Sequence, residues 1–143
     1  MGKKRVIKKT ESSAASTLAP RAAASKGKSF KEGRVSIYSS YNNTILSLAD
    51  GQGNVVLTTS AGAVGFKGTK KSTPFAASKV VETLSDAAKT RGVERIAVIL
   101  RGIGPGRESA LRSLGTKGFE IQSIRDVTPV PHNGPRQRKV RRV

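Results

Sequence analysis

Two glycine-rich stretches carry residue types and spacings suited to holding phosphate. The first is Arg101-Gly102-Ile103-Gly104-Pro105-Gly106-Arg107, which follows the apolar run Ile96-Ala97-Val98-Ile99-Leu100 and precedes Glu108-Ser109-Ala110-Leu111-Arg112-Ser113-Leu114. Pro105 suits the start of a helix, where the leading N–H has no intrahelical partner to lose. A strand, a tight turn and a helix N-terminus would present unpaired N–H groups and a partial positive charge, bracketed by Arg101 and Arg107. Phosphate is the ligand that arrangement favours. Glycines between a strand and a helix can equally be a plain connection, and G-x-G-x-G is looser than the dinucleotide fingerprint G-x-G-x-x-G. The second stretch is Gly62-Ala63-Val64-Gly65-Phe66-Lys67-Gly68-Thr69-Lys70-Lys71. Lys67, Lys70 and Lys71 can reach phosphates there, while Phe66 either stacks on a base or turns into the core.

The acidic residues point away from catalysis. Two-metal phosphoryl chemistry needs several carboxylates within a few ångströms of one another. Glu82 and Asp86 share a helix face, but Lys79 and Lys89 lie on it too and make surface ion pairs the simpler reading. Asp50 belongs to a turn, and Glu108 to the first turn of a helix, where the dipole favours a carboxylate. His132 is the single histidine, set in a proline-rich basic segment. Neither an enzyme nor a cofactor or metal site is expected.

Charge gives the partner class. The 143 residues hold 27 Lys and Arg against 9 Asp and Glu, a net of +18. Residues 1–34 contain ten basic and two acidic groups, and residues 130–143 five basic and none acidic. Such cationic ends attract polyanions, because neutralising phosphates releases condensed counterions. Neither end pairs its charge with an amphipathic face, and no run approaches the ~20 apolar residues that span a bilayer, so nucleic acid is expected and a membrane is not. The first residues lack the apolar segment of a secretory leader, although their Ser, Ala and basic content also matches a transit peptide. Cysteine is absent, which removes disulfides, thiolate metal sites and cysteine nucleophiles.

The elements that position these residues follow from periodicity. Residues 1–33 are sparse in large apolar groups and read as a basic disordered tail, and 34–129 as one α/β domain. Val35 and Ile37 alternate with polar neighbours, Tyr41-Asn42-Asn43-Thr44 supplies a turn, and Ile45–Ala49 and Val55–Thr59 follow around Asp50-Gly51-Gln52-Gly53-Asn54. These predict three antiparallel strands. Thr73-Pro74 caps a helix over 74–91 whose apolar stripe runs through Ala77, Val80, Val81, Leu84, Ala87 and Ala88. The run 96–100 predicts a central strand covered on both faces, 105–115 a second helix, and 119–127 a strand with a register break. Helix and strand alternation in this half predicts parallel pairing by right-handed crossovers. Three prolines between 129 and 135 make 130–143 an extended basic arm.

Taken in order, Tyr41-Asn42-Asn43-Thr44, Ser60-Ala61-Gly62, Gly65-Phe66-Lys67-Gly68, Ser72-Thr73-Pro74-Phe75-Ala76-Ala77, Gly106-Arg107-Glu108, Arg125-Asp126-Val127-Thr128-Pro129 and Pro131-His132-Asn133-Gly134 resemble the universal small-subunit ribosomal protein eleven family, in its bacterial or organellar form. The resemblance runs from about residue 30 to residue 143. It implies an RNase H-like mixed five-stranded sheet with packed helices, without nuclease activity and without homo-oligomer formation. It also implies a place in the platform of the small ribosomal subunit, in the cytoplasm or an organelle, with small-subunit ribosomal RNA and platform proteins as partners and messenger RNA nearby at the exit path. Carried over by motif, the RNA-facing residues are Asn42, Asn43, Lys67, Lys70, Lys71, Arg107, His132, Asn133, Arg136, Arg138 and Lys139; charge adds Arg101, Arg141 and Arg142. The chain departs from the family in placing proline at Pro105 within the glycine turn and at Pro135 after Gly134. A free nucleic-acid architectural protein acting on DNA is the alternative in another class.

Asn133-Gly134 carries chemistry of its own. Glycine shields poorly, so the Gly134 nitrogen can attack the Asn133 amide and leave isoaspartate; the pair also suits an unmodified turn. The chemical reading predicts isoaspartate at position 133 in peptide maps of aged protein, and uniformly unmodified Asn133 would leave only the turn.

Overall fold

Alternation of buried and exposed positions decides which side of each strand is covered. The computed structural model describes residues 29–140, with β1 (Glu32–Ser39), β2 (Thr44–Ala49), β3 (Val55–Ser60), α1 (Pro74–Lys89), β4 (Arg95–Arg101), α2 (Gly106–Thr116) and β5 (Glu120–Asp126). They form one five-stranded sheet in the order β3-β2-β1-β4-β5. β1 pairs antiparallel with β2 and parallel with β4, β2 antiparallel with β3, and β4 parallel with β5, so β2 alone runs opposite to the rest. This is the mixed α/β sheet that the sequence predicts.

The core lies on one side of it. Val35 and Ile37 of β1, Leu46 and Leu48 of β2, and Ile96, Val98 and Leu100 of β4 are buried with Val80, Val81 and Leu84 of α1 and Ala110 and Leu114 of α2. The helices pack against each other, α1 lying over β2 and β3 and α2 against β1. Thr73 caps α1 as expected, its hydroxyl accepting from the Ala76 N–H at 3.2 Å. Two small residues, Ser39 and Thr44, are fully buried at the ends of β1 and β2, where the glycine turn comes to rest.

Three expectations change. The middle strand is β1 and not β4, because β4 lies between β1 and β5. Nor is β4 buried on both faces: Ile96, Val98 and Leu100 are buried, whereas Ala97 and Ile99 are only half-buried on the opposite side. An unbroken apolar run reads as two-sided burial, but here Ser36 and Arg125 flank Ile99 and, among the described residues, no helix covers that face. The ordered domain also opens earlier than residue 34, since Glu32 and Gly33 pair with Arg95 and Ile96, the Lys31 carbonyl accepts from Glu94 and Arg95, and Phe30 packs on the core. The register break in β5 is present, opposite Ile96 and Ala97, and leaves Gln122 without a partner in β4. Most of the basic stretch before Lys31 lies outside the described residues.

The two helices are joined at the surface by Glu82, which accepts from Lys79 at 2.8 Å and from Lys117 at 2.9 Å. The paired ammonium groups lower its carboxyl pKa from 4.5 to about 2. The folded state therefore binds this proton less readily than the unfolded chain, and the pair stabilises above the ordinary carboxylate pKa. Glu82→Gln is expected to be less stable than wild type above about pH 5, with the two denaturation curves converging as pH falls from 4.5 to about 2.

Candidate nucleic-acid interface

The segments singled out in the sequence meet at one end of the sheet. β1, β4 and β5 finish there, β2 starts there, and both helices have their N-termini there. The β1–β2 turn is closed by the Ser40 N–H donating to the Asn43 carbonyl at 2.9 Å, and the Ser40 hydroxyl accepts from the Asn43 N–H at 3.1 Å. That leaves the Asn42 side chain exposed and Asn43 half-buried. The glycine turn lies directly against it. The Gly104 N–H donates to the Ser39 carbonyl at 3.0 Å. A Cβ on Gly102 would overlap the Ser39 carbonyl, one on Gly104 the Ser40 carbonyl, and one on Gly106 would stand 2.7 Å from Thr44 Oγ1. Gly102 also has φ +98°, which favours glycine. The glycines are thus set by the approach of two protein backbones, and the plain-connection reading needs a sharper form: the turn is a close-packed joint.

Nor do Arg101 and Arg107 bracket this turn as a pair. Arg101 points onto the uncovered sheet face, its guanidinium 6.0 Å from the centre of the Tyr38 ring. Arg107 donates to the Gly102 carbonyl at 3.0 Å, to Thr128 Oγ1 at 3.2 Å and to the Asp126 carboxylate. Thr128 Oγ1 completes the cluster by accepting from the Gly102 N–H at 3.1 Å and donating to Asp126 Oδ1 at 2.6 Å, using the full capacity of a hydroxyl. Arg107 and Thr128 together hold the Asp126 carboxyl far below the usual carboxylate range. With the Val127 N–H donating to the Leu100 carbonyl at 2.9 Å, these bonds fix where the C-terminal arm leaves the sheet.

The lysine loop leaves the same end. The Ala61 N–H donates to the Thr44 carbonyl and the Phe66 N–H to the Ala61 carbonyl, each at 3.0 Å. Lys67, exposed, precedes a 3-10 turn over Gly68–Ser72, and Lys70, exposed, and Lys71, half-buried, lie within it. Phe66 packs on the core and meets Phe75 edge to face at 6.0 Å. The exposed aromatic of this region is Phe75, 64% accessible, which the sequence reading assigned only to a helix start. Beyond Val127 the arm has no regular structure, and His132, Asn133, Arg136, Arg138 and Lys139 are exposed. It is not uniformly extended, since Asn133 takes φ +67° and Gly134 turns back towards Pro131. Arg141 and Arg142 lie outside the described residues.

A family model for ribosomal protein S11 matches residues 33–142. The chain belongs to the ribosomal protein S11 family. It is accordingly a small-subunit ribosomal protein of the translation machinery, and its place is in the ribosome. The match takes in all of the sheet but Glu32, both helices and nearly all of the arm, and it begins at Gly33, the second residue of β1. Four of the acidic side chains of this S11-family domain are engaged locally by cations: Glu32 and Glu120 with Arg95 at 3.0 and 3.3 Å, Glu82 with two lysines, and Asp126 with Arg107. Among the described residues, no three His, Asp or Glu side chains converge on a metal-sized site.

What the sequence reading missed is Tyr38, 45% accessible on the uncovered face. Its signal was present in the alternation of β1, which turns Tyr38 away from buried Ile37 and Ser39.

The joint makes opposite predictions for two glycines. Gly102→Ala combines a left-handed backbone with a backbone clash and is expected to destabilise by about 2–4 kcal/mol. Gly115→Ala, inside α2 with open space around it, is expected to stabilise by about 0.5–1 kcal/mol. Chemical denaturation of both variants checks the pair.

Proposed function

We propose that this protein is a structural, non-catalytic RNA-binding component of the platform of the small ribosomal subunit, near the messenger RNA exit path, contacting small-subunit ribosomal RNA and neighbouring platform proteins. The observation that carries the RNA reading is the gathering of Asn42, Asn43, Lys67, Lys70, Lys71 and the root of a cationic arm at one end of the sheet. The place within the subunit rests on the family to which the chain belongs.

The roles divide by geometry. Lys67 and Lys70, exposed beside the N-terminus of α1, neutralise phosphates, with Lys71 behind them. Asn42 and Asn43 supply amide groups from a turn braced by the glycine joint. His132, Asn133, Arg136, Arg138 and Lys139 extend the contact along the arm, continued by Arg141 and Arg142. Arg107 acts by aiming that arm through Asp126 and Thr128. An arm held at its root loses less entropy on docking than one hinged freely. No turnover is expected, and no cofactor or metal is required.

Co-sedimentation with small subunits through a sucrose gradient at moderate salt tests the ribosomal placement; sedimentation with DNA instead would favour a free architectural protein. Deleting 130–143, with its five basic residues, is expected to weaken binding to small-subunit ribosomal RNA strongly. It should also reduce the slope of log affinity against log salt by about 3.5–4.5, at ~0.7–0.9 per phosphate contact. Unchanged affinity and slope would show that the arm is not an anchor.

A further inference from the structure

The helices cover one face of the sheet and leave the other open. Strand alternation and register put Arg34 and Tyr38 of β1, Arg101 of β4 and Arg125 of β5 on that open face, all four exposed. Tyr38 and Arg101 are direct neighbours across the β1–β4 pair, Arg34 is four residues before Tyr38, and Arg125 stands beside Ile99, two residues before Arg101. Among the described residues no acidic group pairs with Arg34, Arg101 or Arg125. Glu32 and Glu120 lie at the far end of the sheet, both engaged by Arg95.

We infer that this open face is a second RNA-binding surface, which takes a single-stranded RNA segment with one base stacked on Tyr38 and its backbone phosphates on Arg34, Arg101 and Arg125. The inference rests on the RNA-binding reading above and adds a sheet face that adjoins the root of the arm.

Charge selects the occupant. Three arginines around one exposed ring repel a second copy of the same face. They also repel the chain's own first 28 residues, which hold eight basic groups and one acidic. A polyanion is attracted instead. The exposed ring narrows this to a strand with unstacked bases, because every base offers a π-face to an aromatic platform while a duplex keeps its bases paired and stacked. Arg101, 6.0 Å from the Tyr38 ring centre, is placed to add its guanidinium plane and charge beside the same base. The small and apolar residues between the arginines, Ser36, Ala97 and Ile99, keep the surface low enough for a strand to lie across it.

The test uses the full chain with two probes, a mixed-sequence single-stranded oligoribonucleotide and intact small-subunit ribosomal RNA, titrated at several salt concentrations. The variants are Tyr38→Ala, Tyr38→Phe and the triple Arg34→Ala/Arg101→Ala/Arg125→Ala; all four positions are exposed, and unchanged melting curves confirm that the fold is kept. Tyr38→Ala should weaken binding to both probes about tenfold with little change in salt slope, while Tyr38→Phe, which keeps the ring, should stay within about twofold of wild type. The triple variant should lower the slope by about 2, for three single-strand phosphate contacts at ~0.7 each. Wild-type affinity and slope in the triple variant, or equal losses in Tyr38→Phe and Tyr38→Ala, would overturn the inference. So would face variants that bind both probes normally yet fail to enter small subunits, since a protein would then be the occupant. If deletion of the arm weakens RNA binding and the face variants do not, this inference falls and the proposed function stands; if neither has an effect, both fall.

Discussion

The close contact between two backbone turns at the C-terminal end of the parallel strands is the constraint on which the rest of the structure depends. The β1–β2 turn and the turn that leads from β4 into α2 approach until their carbonyls and amides touch, with Gly102, Gly104 and Gly106 on one side and Ser39, Ser40 and Thr44 on the other. A side chain on the glycine side would separate them. That separation would move the start of α2, which carries Arg107, and with it the cluster that holds Asp126 and Thr128. A single joint therefore sets the Asn42–Asn43 turn, the seat of α2 and the direction of the arm. The glycines that resemble a phosphate cradle instead hold two backbone turns together.

The division of labour follows from charge and burial. Among the described residues, a one-sided core under two helices leaves an entire sheet face and one sheet end without apolar cover. Cationic groups collect on these surfaces, while four of the eight acidic groups among the described residues are bound to nearby lysines and arginines. Locally compensated acids and outward-facing bases suit a scaffold that meets a polyanion on several sides. They suit a carboxylate-based active site poorly, since such a site needs acids that are unpaired and mutually close. Membership of the ribosomal protein S11 family agrees with the scaffold.

Much of this was legible from residue order. Alternation marked β1, turn residues set off β2 and β3, the Thr73-Pro74 cap and a three-to-four-residue stripe marked α1, and the shift of apolar positions after Ile121 marked the break in β5. These signals are local, because dihedral preferences and the two periodicities act over a few residues. The basic arm was legible too, as composition and proline placement need no partner to be read. Sheet order was not: an uninterrupted apolar run cannot distinguish a strand covered on both sides from one whose second side is merely flanked by small and basic residues, and so β4 was expected at the centre where β1 lies.

Sequence alone determined the elements, the cationic ends, the family and the class of partner, since each depends on residue type and near spacing. Only tertiary structure decided the purpose of the individual groups. Whether Gly102 faces a phosphate or the Ser39 carbonyl, whether Arg107 reaches outward or grips Asp126, and whether Phe66 or Phe75 is the exposed ring depend on which segments come together from opposite halves of the chain. The same holds for the neighbourhood of Tyr38 and Arg101, residues 63 positions apart in the chain that become cross-strand neighbours through the parallel pairing of β1 and β4. A contact of that kind is created by topology, and no local preference encodes it.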